Sequence, residues 1–270
     1  MTKFSMVFAL ALTMLTGCAN QQEELMQWSN SHGASASTLQ TNGFTLQTVA
    51  PLNLQANKTL TIFIEGDGRA WATSSQPSID PSPRVFSTVA LAMSTQHPGV
   101  YLARPCQFVM STGCEKSIWT NARFSRSVID SMNTAVDAMK KRYGAERIEL
   151  VGYSGGAAVA LLVAGERSDV TQIQTVSGNT NPKAWVAFNQ LSSLDGSLDP
   201  LANAKKLSVI PQRHFVGTED SIIPLALTED FVHKISALCA EIVKLPGDHA
   251  SLIANLTGDA LNQPIRCTKQ

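Results

Sequence analysis

The sequence predicts a single α/β domain with a mostly parallel central sheet and helices on both faces. Three observations carry this. Short β-branched apolar runs alternate along the chain with segments of helical period, an order that a parallel sheet with crossover helices satisfies. A glycine-flanked serine, Gly152-Tyr153-Ser154-Gly155-Gly156, joins one such run directly to a small-residue helix. Nothing in the 270 residues reads as an internal linker, and a chain of this length can bury one sizeable core.

Taken in order, extended segments are expected at 44–49 and 60–64, the second ending in the turn Glu65-Gly66-Asp67-Gly68. A helix over 83–95 and a short strand over 100–103 follow. The helix expected over 125–143 repeats Val128, Met132, Ala135, Val136 and Met139 on one face, a stripe that reads as core. Strand 147–151, helix 155–165, strand 172–176, strand 207–216, helix 225–238, strand 241–245 and a final helix complete the alternation. In open sheets of this kind ligands bind beyond the carboxyl ends of the strands, so the loops after strands are where chemistry is sought.

Ser154 sits in such a loop. A hydroxyl on a sharp strand-to-helix turn projects above the sheet, and a Cβ at either flanking glycine would meet the neighbouring backbone. The helix that follows aims its free N–H groups at the same spot. A bland alternative is that the glycines serve only a tight turn and Ser154 caps the helix.

A serine nucleophile needs a base, and the chain offers His32, His97, His214, His233 and His249. His32 falls in a polar N-terminal stretch, His97 ends a helix, His214 lies inside an apolar strand and His233 lies mid-helix. His249 alone follows a strand end, in Pro246-Gly247-Asp248-His249, with Asp248 expected to cap the last helix. The acid that orients it should also follow a strand. Asp220, in Gly217-Thr218-Glu219-Asp220-Ser221-Ile222-Ile223-Pro224, is the first choice and Glu219 its neighbouring rival.

Ser154, Asp220 and His249 occur in the order Ser, Asp, His, and with their glycine-rich elbow and loop patterns they resemble the α/β-hydrolase fold over residues 43–270. The resemblance implies a Ser-His-Asp triad and acyl transfer to water through an acyl-enzyme, with ester hydrolysis leading and thioester or amide hydrolysis using the same groups. It further implies an oxyanion hole built from the N–H of Gly155 and a second N–H near Asp67. That second turn usually reads His-Gly, and here it reads Glu65-Gly66. The Asp67 side chain is expected to point away from an oxyanion or to bind a substrate hydroxyl or amine. The substrate the resemblance implies is a small-molecule or lipid-like acyl compound. No cofactor is implied. The competing reading is a non-catalytic envelope lipoprotein that keeps the fold to bind a ligand or partner.

Two regions bear on the pocket. The segment 177–201 offers Trp185 and Phe188 either as a wall over the pocket or as core. The loop 104–124 and its edge, with Trp119, Arg123 and Arg126, either line the pocket or recognise an anionic group, with surface solvation the expected fate of Arg126.

Residues 1–17 read as a signal peptide, since Lys3 precedes an apolar core too short to span a bilayer. Leu15-Thr16-Gly17-Cys18 resembles the lipobox of bacterial lipoproteins. The resemblance implies acylation of Cys18, membrane attachment through palmitate-type chains, and, with Ala19 next, the periplasmic face of the outer membrane. Residues 18–42, rich in Gln, Ser, Asn and Thr, read as the lipidated terminus and a flexible tether, leaving 43–270 as the domain. Removing residues 1–17 takes one lysine and leaves 20 basic against 21 acidic side chains, which suggests no nucleic-acid or polybasic membrane role.

Besides Cys18 the chain has four cysteines. They allow three pairings, and the local one, Cys106 with Cys114 and Cys239 with Cys267, is preferred. A zinc site is not expected, because no C-x-x-C or histidine pair accompanies them.

Overall fold

A computed structural model describes residues 20–95 and 99–267. The expected signal peptide, Cys18 and His97 lie outside the described residues. Eight strands form one sheet: β1 (Ala34–Gln40), β2 (Thr45–Pro51), β3 (Thr59–Ile64), β4 (Val100–Leu102), β5 (Arg147–Tyr153), β6 (Val170–Val176), β7 (Gln212–Gly217) and β8 (Ala240–Leu245). Their spatial order is β1-β2-β4-β3-β5-β6-β7-β8. β1 and β2 pair antiparallel, as do β2 and β4, and every other neighbouring pair is parallel.

The helices are α1 (Gln21–Ser31), α2 (Ser87–Ser94), α3 (Arg126–Arg142), α4 (Gly155–Glu166), α5 (Pro182–Phe188), α6 (Ala204–Leu207), α7 (Leu225–Lys234), α8 (His249–Asn255) and α9 (Gly258–Asn262). Both sheet faces are covered. In β3, Leu60, Ile62 and Ile64 point into a core with the apolar stripes of α3 and α4, while Phe63 points into a second core with α1, α2, α8 and α9. That alternation, apolar on both sides, is what a central parallel strand requires. All residues from Gly155 to Ala164 of α4 are buried, so the helix after the serine is locked against the sheet and its N-terminus is held in place.

The stretch read as a tether is folded. Asn20 caps α1 by accepting from Gln22 N–H. Leu25 is fully buried, Gln22 Nε2 donates to Gln47 Oε1 at 2.9 Å, and Trp28 meets Phe86 edge-on at 6.3 Å. β1 pairs with β2 along its whole length, from Ala34↔Pro51 to Gln40↔Thr45. Its polar composition misled because an edge strand needs backbone partners more than apolar side chains.

Other boundaries differ as well, among them these. The expected strand 207–216 begins only at Gln212, because Leu207 ends α6 and Pro211, which lacks an N–H for the ladder, precedes the strand. The helix expected over 225–238 stops at Lys234, beyond which Ser236 takes φ 51°. Both cysteine pairs form the expected local bridges, Cys106 with Cys114 and Cys239 with Cys267.

Candidate active site

The elbow holds Ser154 between β5 and α4 at φ 48° and ψ −120°, a conformation L-residues populate sparsely and that surrounding structure must enforce. The enforcement is visible. Ser154 N–H donates to Val176 O at 3.0 Å, and its own carbonyl accepts from Asn179 N–H at 2.9 Å. A Cβ on Gly152 would lie 2.5 Å from Gly156 O, and one on Gly156 would lie 2.4 Å from Ile64 O, so neither position accepts a side chain.

His249 is the first residue of α8. Asp248 caps that helix through a capping box, accepting from Ala250 and Ser251 N–H while Ser251 Oγ accepts from Asp248 N–H. The imidazole therefore leaves a fixed point. Its Nε2 lies 3.0 Å from Ser154 Oγ and its Nδ1 lies 2.9 Å from Asp220 Oδ2. An Nδ1–H donating to Asp220 leaves the Nε2 lone pair to accept the serine proton.

Asp220 is anchored independently, since its Oδ1 accepts from Ile222 N–H at 2.9 Å and Ile223 N–H at 2.8 Å. Burial pushes its carboxyl up, but the His249 bond and the Ile223 N–H outweigh burial and hold it below the ordinary carboxylate range. Tyr153, the residue before the serine, also braces His249. Its ring centre is 5.6 Å from that of His249, and its hydroxyl donates to His249 O at 3.3 Å.

The turn after β3 faces the elbow. A Cβ on Gly66 would sit 3.3 Å from Ser154 Cβ, and one on Gly155 would sit 2.1 Å from Asp67 Oδ1. The N–H of Gly155 opens α4 and is one of the donors a helix leaves without an internal acceptor. That of Asp67 has no acceptor among the described residues. The Asp67 carboxylate is gripped by Arg104 Nη1 on one oxygen and Arg123 Nη1 on the other. Burial works against its ionised form, and the two guanidiniums, Arg123 foremost, overcome this and hold the carboxyl below its usual range.

Glu65 braces the same turn from beneath. It is buried and accepts from Gly66 N–H at 2.8 Å, Thr88 Oγ1 at 2.7 Å and Tyr101 OH at 2.9 Å. Burial pushes its carboxyl up despite those bonds.

These groups open into a cavity of about 1150 Å³ with Ser154 and His249 in its wall. Trp71, Val85, Trp185, Leu191 and Ile222 make it largely apolar, as small-molecule sites generally are. Among the described residues no group of three or more His, Cys, Asp or Glu side chains is arranged to hold a metal ion, and no helix is long and apolar enough to cross a membrane.

Residues 109–251 match the family model described as Serine hydrolase (FSH1), just over half of the chain. The chain belongs to this serine hydrolase family. No curated protein sequence matches it. Among solved structures, the Pyrococcus furiosus esterase Pf2001 superposes with a TM-score of 0.60 at 14% identity, over 83% of this chain and 88% of that one. A cold-adapted esterase from an Arctic intertidal metagenomic library gives 0.60 at 15%, over 86% and 94%. Est1E from Butyrivibrio proteoclasticus gives 0.57 at 16%, over 84% and 93%. At these identities the likeness is one of fold, and the fold is that of the α/β-hydrolases.

In this serine hydrolase, Ser154, His249 and Asp220 meet, while Glu219 is exposed on the next position of the loop. His214 is buried in β7, and His32 and His233 stand on helix ends away from the serine. Trp185 and Arg123 line the cavity; Phe188 is exposed, and Trp119 packs in the core beneath α3. Arg126 lies on the surface beside Glu166. The Asp67 side chain stays in the cavity lining, where the two arginines claim both of its oxygens. Sequence reading missed Glu65, Tyr153 and Arg104 as site residues. Arg104 was legible in principle, since it ends a strand as the other site residues do.

Proposed function

We propose that this hydrolase cleaves carboxylic esters through Ser154, His249 and Asp220. The observation that carries the reading is the hydrogen-bonded series from Ser154 Oγ to His249 Nε2 and from Nδ1 to Asp220 Oδ2, at 3.0 and 2.9 Å, in the wall of the cavity. Ser154 Oγ attacks the ester carbonyl as His249 takes its proton, and Asp220 stabilises the imidazolium. His249 then protonates the departing alkoxide. Water, deprotonated by His249, attacks the acyl-enzyme and releases the acid, returning the proton to Ser154.

The N–H groups of Gly155 and Asp67 are the oxyanion donors. Such donors lower the barrier because they are already aimed where charge develops, each typically by about 3 kcal/mol. Solved neighbours described as esterases support an ester over a thioester or amide.

The enzyme acts at the cell envelope, anchored through Cys18 to the outer membrane and facing the periplasm. The lipobox-like Leu15-Thr16-Gly17-Cys18 supports this, as do two disulfides, which persist in oxidising compartments.

The deciding experiment treats the full chain with a fluorophosphonate and maps the adduct by mass spectrometry beside Ser154→Ala, with a panel of esters, thioesters and amides. Labelling confined to Ser154, with ester turnover abolished in the variant, is expected. A folded, disulfide-intact protein that neither labels nor turns over an ester would leave a binding role. Palmitate incorporation lost in Cys18→Ala tests the anchor.

A further inference from the structure

The charged side chains around the cavity are unbalanced. Its lining includes Arg69, Arg84 and Arg123, against the carboxyls of Glu65 and Asp67. Asp67 is already committed to two guanidiniums, Arg123 and, behind it, Arg104. Guanidiniums stay charged in proteins, so this buried triplet carries one net positive charge directly beside the elbow. Arg104 Nη1 lies 2.9 Å from where a Cβ on Gly155 would be. Glu65, buried beneath the turn, spends its oxygens on three internal donors, and burial disfavours its ionised form, which weakens its offset of that charge.

Arg123 is not used up by these contacts. Its Nε donates to Thr120 O at 2.6 Å and its Nη1 to Asp67, while Nη2 has no partner among the described residues. The guanidinium stands 5.9 Å from the ring centre of Trp185, itself a cavity wall. At the mouth Arg69 and Arg84 are exposed and form no ion pair among the described residues. A low-dielectric cleft lined by one sign of charge focuses its field on an entering ligand.

We infer that the natural substrates are esters bearing a carboxylate near the scissile bond, seated on Arg123 and drawn in by Arg69 and Arg84. The inference rests on the ester-hydrolase reading and adds the substrate's charge to it. Asp67 keeps the triplet from becoming a trap, because it leaves one net charge, and one open donor on Arg123, for the incoming anion. The apolar walls accept the remainder of the acyl or alcohol part.

The test uses the full chain and two matched pairs. On the acyl side, the mono-para-nitrophenyl ester of glutaric acid is compared with para-nitrophenyl pentanoate. On the alcohol side, the butyrate ester of para-hydroxybenzoate is compared with that of para-hydroxybenzamide. In at least one pair the anionic ester should have the higher kcat/KM, on the order of tenfold at low salt, and the advantage should shrink as salt is added. Arg123→Gln should collapse that ratio and Arg123→Lys should restore part of it. Arg69→Gln with Arg84→Gln should reduce the salt dependence.

Hydrolysis of both members of each pair at equal rates, or faster cleavage of the neutral ones, overturns the inference while leaving an ester hydrolase. No cleavage of any of the four overturns the ester reading itself and the inference with it.

Discussion

The Asp67 carboxylate stands where a side chain on Gly155 would have to go: its Oδ1 lies 2.1 Å from the position of a Cβ there. The two arginines that hold Asp67 prevent it from yielding. Gly155→Ala should therefore push the 65–68 turn away from the elbow and misplace the Asp67 N–H. Losing one oxyanion donor costs roughly 100-fold to 1000-fold in kcat, and a fall of that size with little change in KM is expected. Gly66→Ala meets the Tyr153 ring at 3.0 Å and Ser154 Cβ at 3.3 Å, contacts that a small ring shift relieves. Steady-state kinetics on the two variants should rank Gly155→Ala as the more damaged, and the reverse order would argue against the proposed oxyanion role of the Asp67 N–H.

Asp220 and Glu219 separate cleanly by mutation. The Asp220 carboxyl is held below the ordinary carboxylate range and lies 2.9 Å from His249 Nδ1, where on the proposed reading it fixes the tautomer. Asp220→Asn presents an amide that can hold the ring in the wrong tautomer, for which a loss of about 10,000-fold in kcat is expected. Glu219 is exposed, so Glu219→Gln should leave kcat and KM unchanged. Retained activity in Asp220→Asn would assign the orienting role elsewhere.

The residues that sequence alone could assemble are those whose position is a matter of topology. Ser154, Asp220 and His249 each follow a strand, and a parallel sheet brings such loops to one edge whatever the side chains between them do. Glu65 and Arg104 also follow strands, β3 and β4, yet their roles depend on rotamers and on partners distant in sequence, such as Tyr101, Thr88 and Asp67. α1 and β1 escaped for a related reason. Their polar segments are held by a cap, by a few buried contacts and by pairing with β2, none of which leaves a hydrophobic period to read.

His214 gives the fold a pH dependence of its own. It is fully buried in β7, with Nδ1 2.8 Å from Thr175 Oγ1, and burial pulls its pKa down from 6.5 to about 4. Above the unfolded value the ring is neutral in both states and contributes no slope. As pH falls from 6.5 toward 4 the unfolded chain takes up a proton that the folded one refuses, so stability is lost on acidification. Between about pH 7.5 and about pH 5 the loss amounts to roughly 2 kcal/mol. His214→Gln keeps a hydrogen bond to Thr175 within reach and removes the titration. Urea unfolding of both proteins at the two pH values should show a smaller pH effect in the variant, and equal effects would place the titration on other groups.

The two disulfides should fail in different ways. Cys239 and Cys267 are 28 residues apart and Cys106 and Cys114 only 8, so on the chain-entropy model the first contributes roughly 3.5 kcal/mol and the second roughly 2.5. The longer one pins the tail whose Gln263 and Pro264 carbonyls accept from Arg213, far from the elbow. The shorter one closes the loop of Gln107, whose Nε2 donates to Gly66 O at 2.9 Å while its Oε1 accepts from Arg104 N–H at 3.0 Å. Breaking it loosens both the Gly66 turn and the start of the Arg104 clamp. Cys239→Ser with Cys267→Ser should thus lower the Tm further and leave kcat near its starting value. Cys106→Ser with Cys114→Ser should cost less Tm and more kcat, and with anionic esters it should raise KM as well, because Arg104 helps fix the Asp67 carboxylate on which Arg123 is positioned. Parallel losses of Tm and kcat in the two double variants would mean that the short loop supports the fold alone and has no special hold on the site.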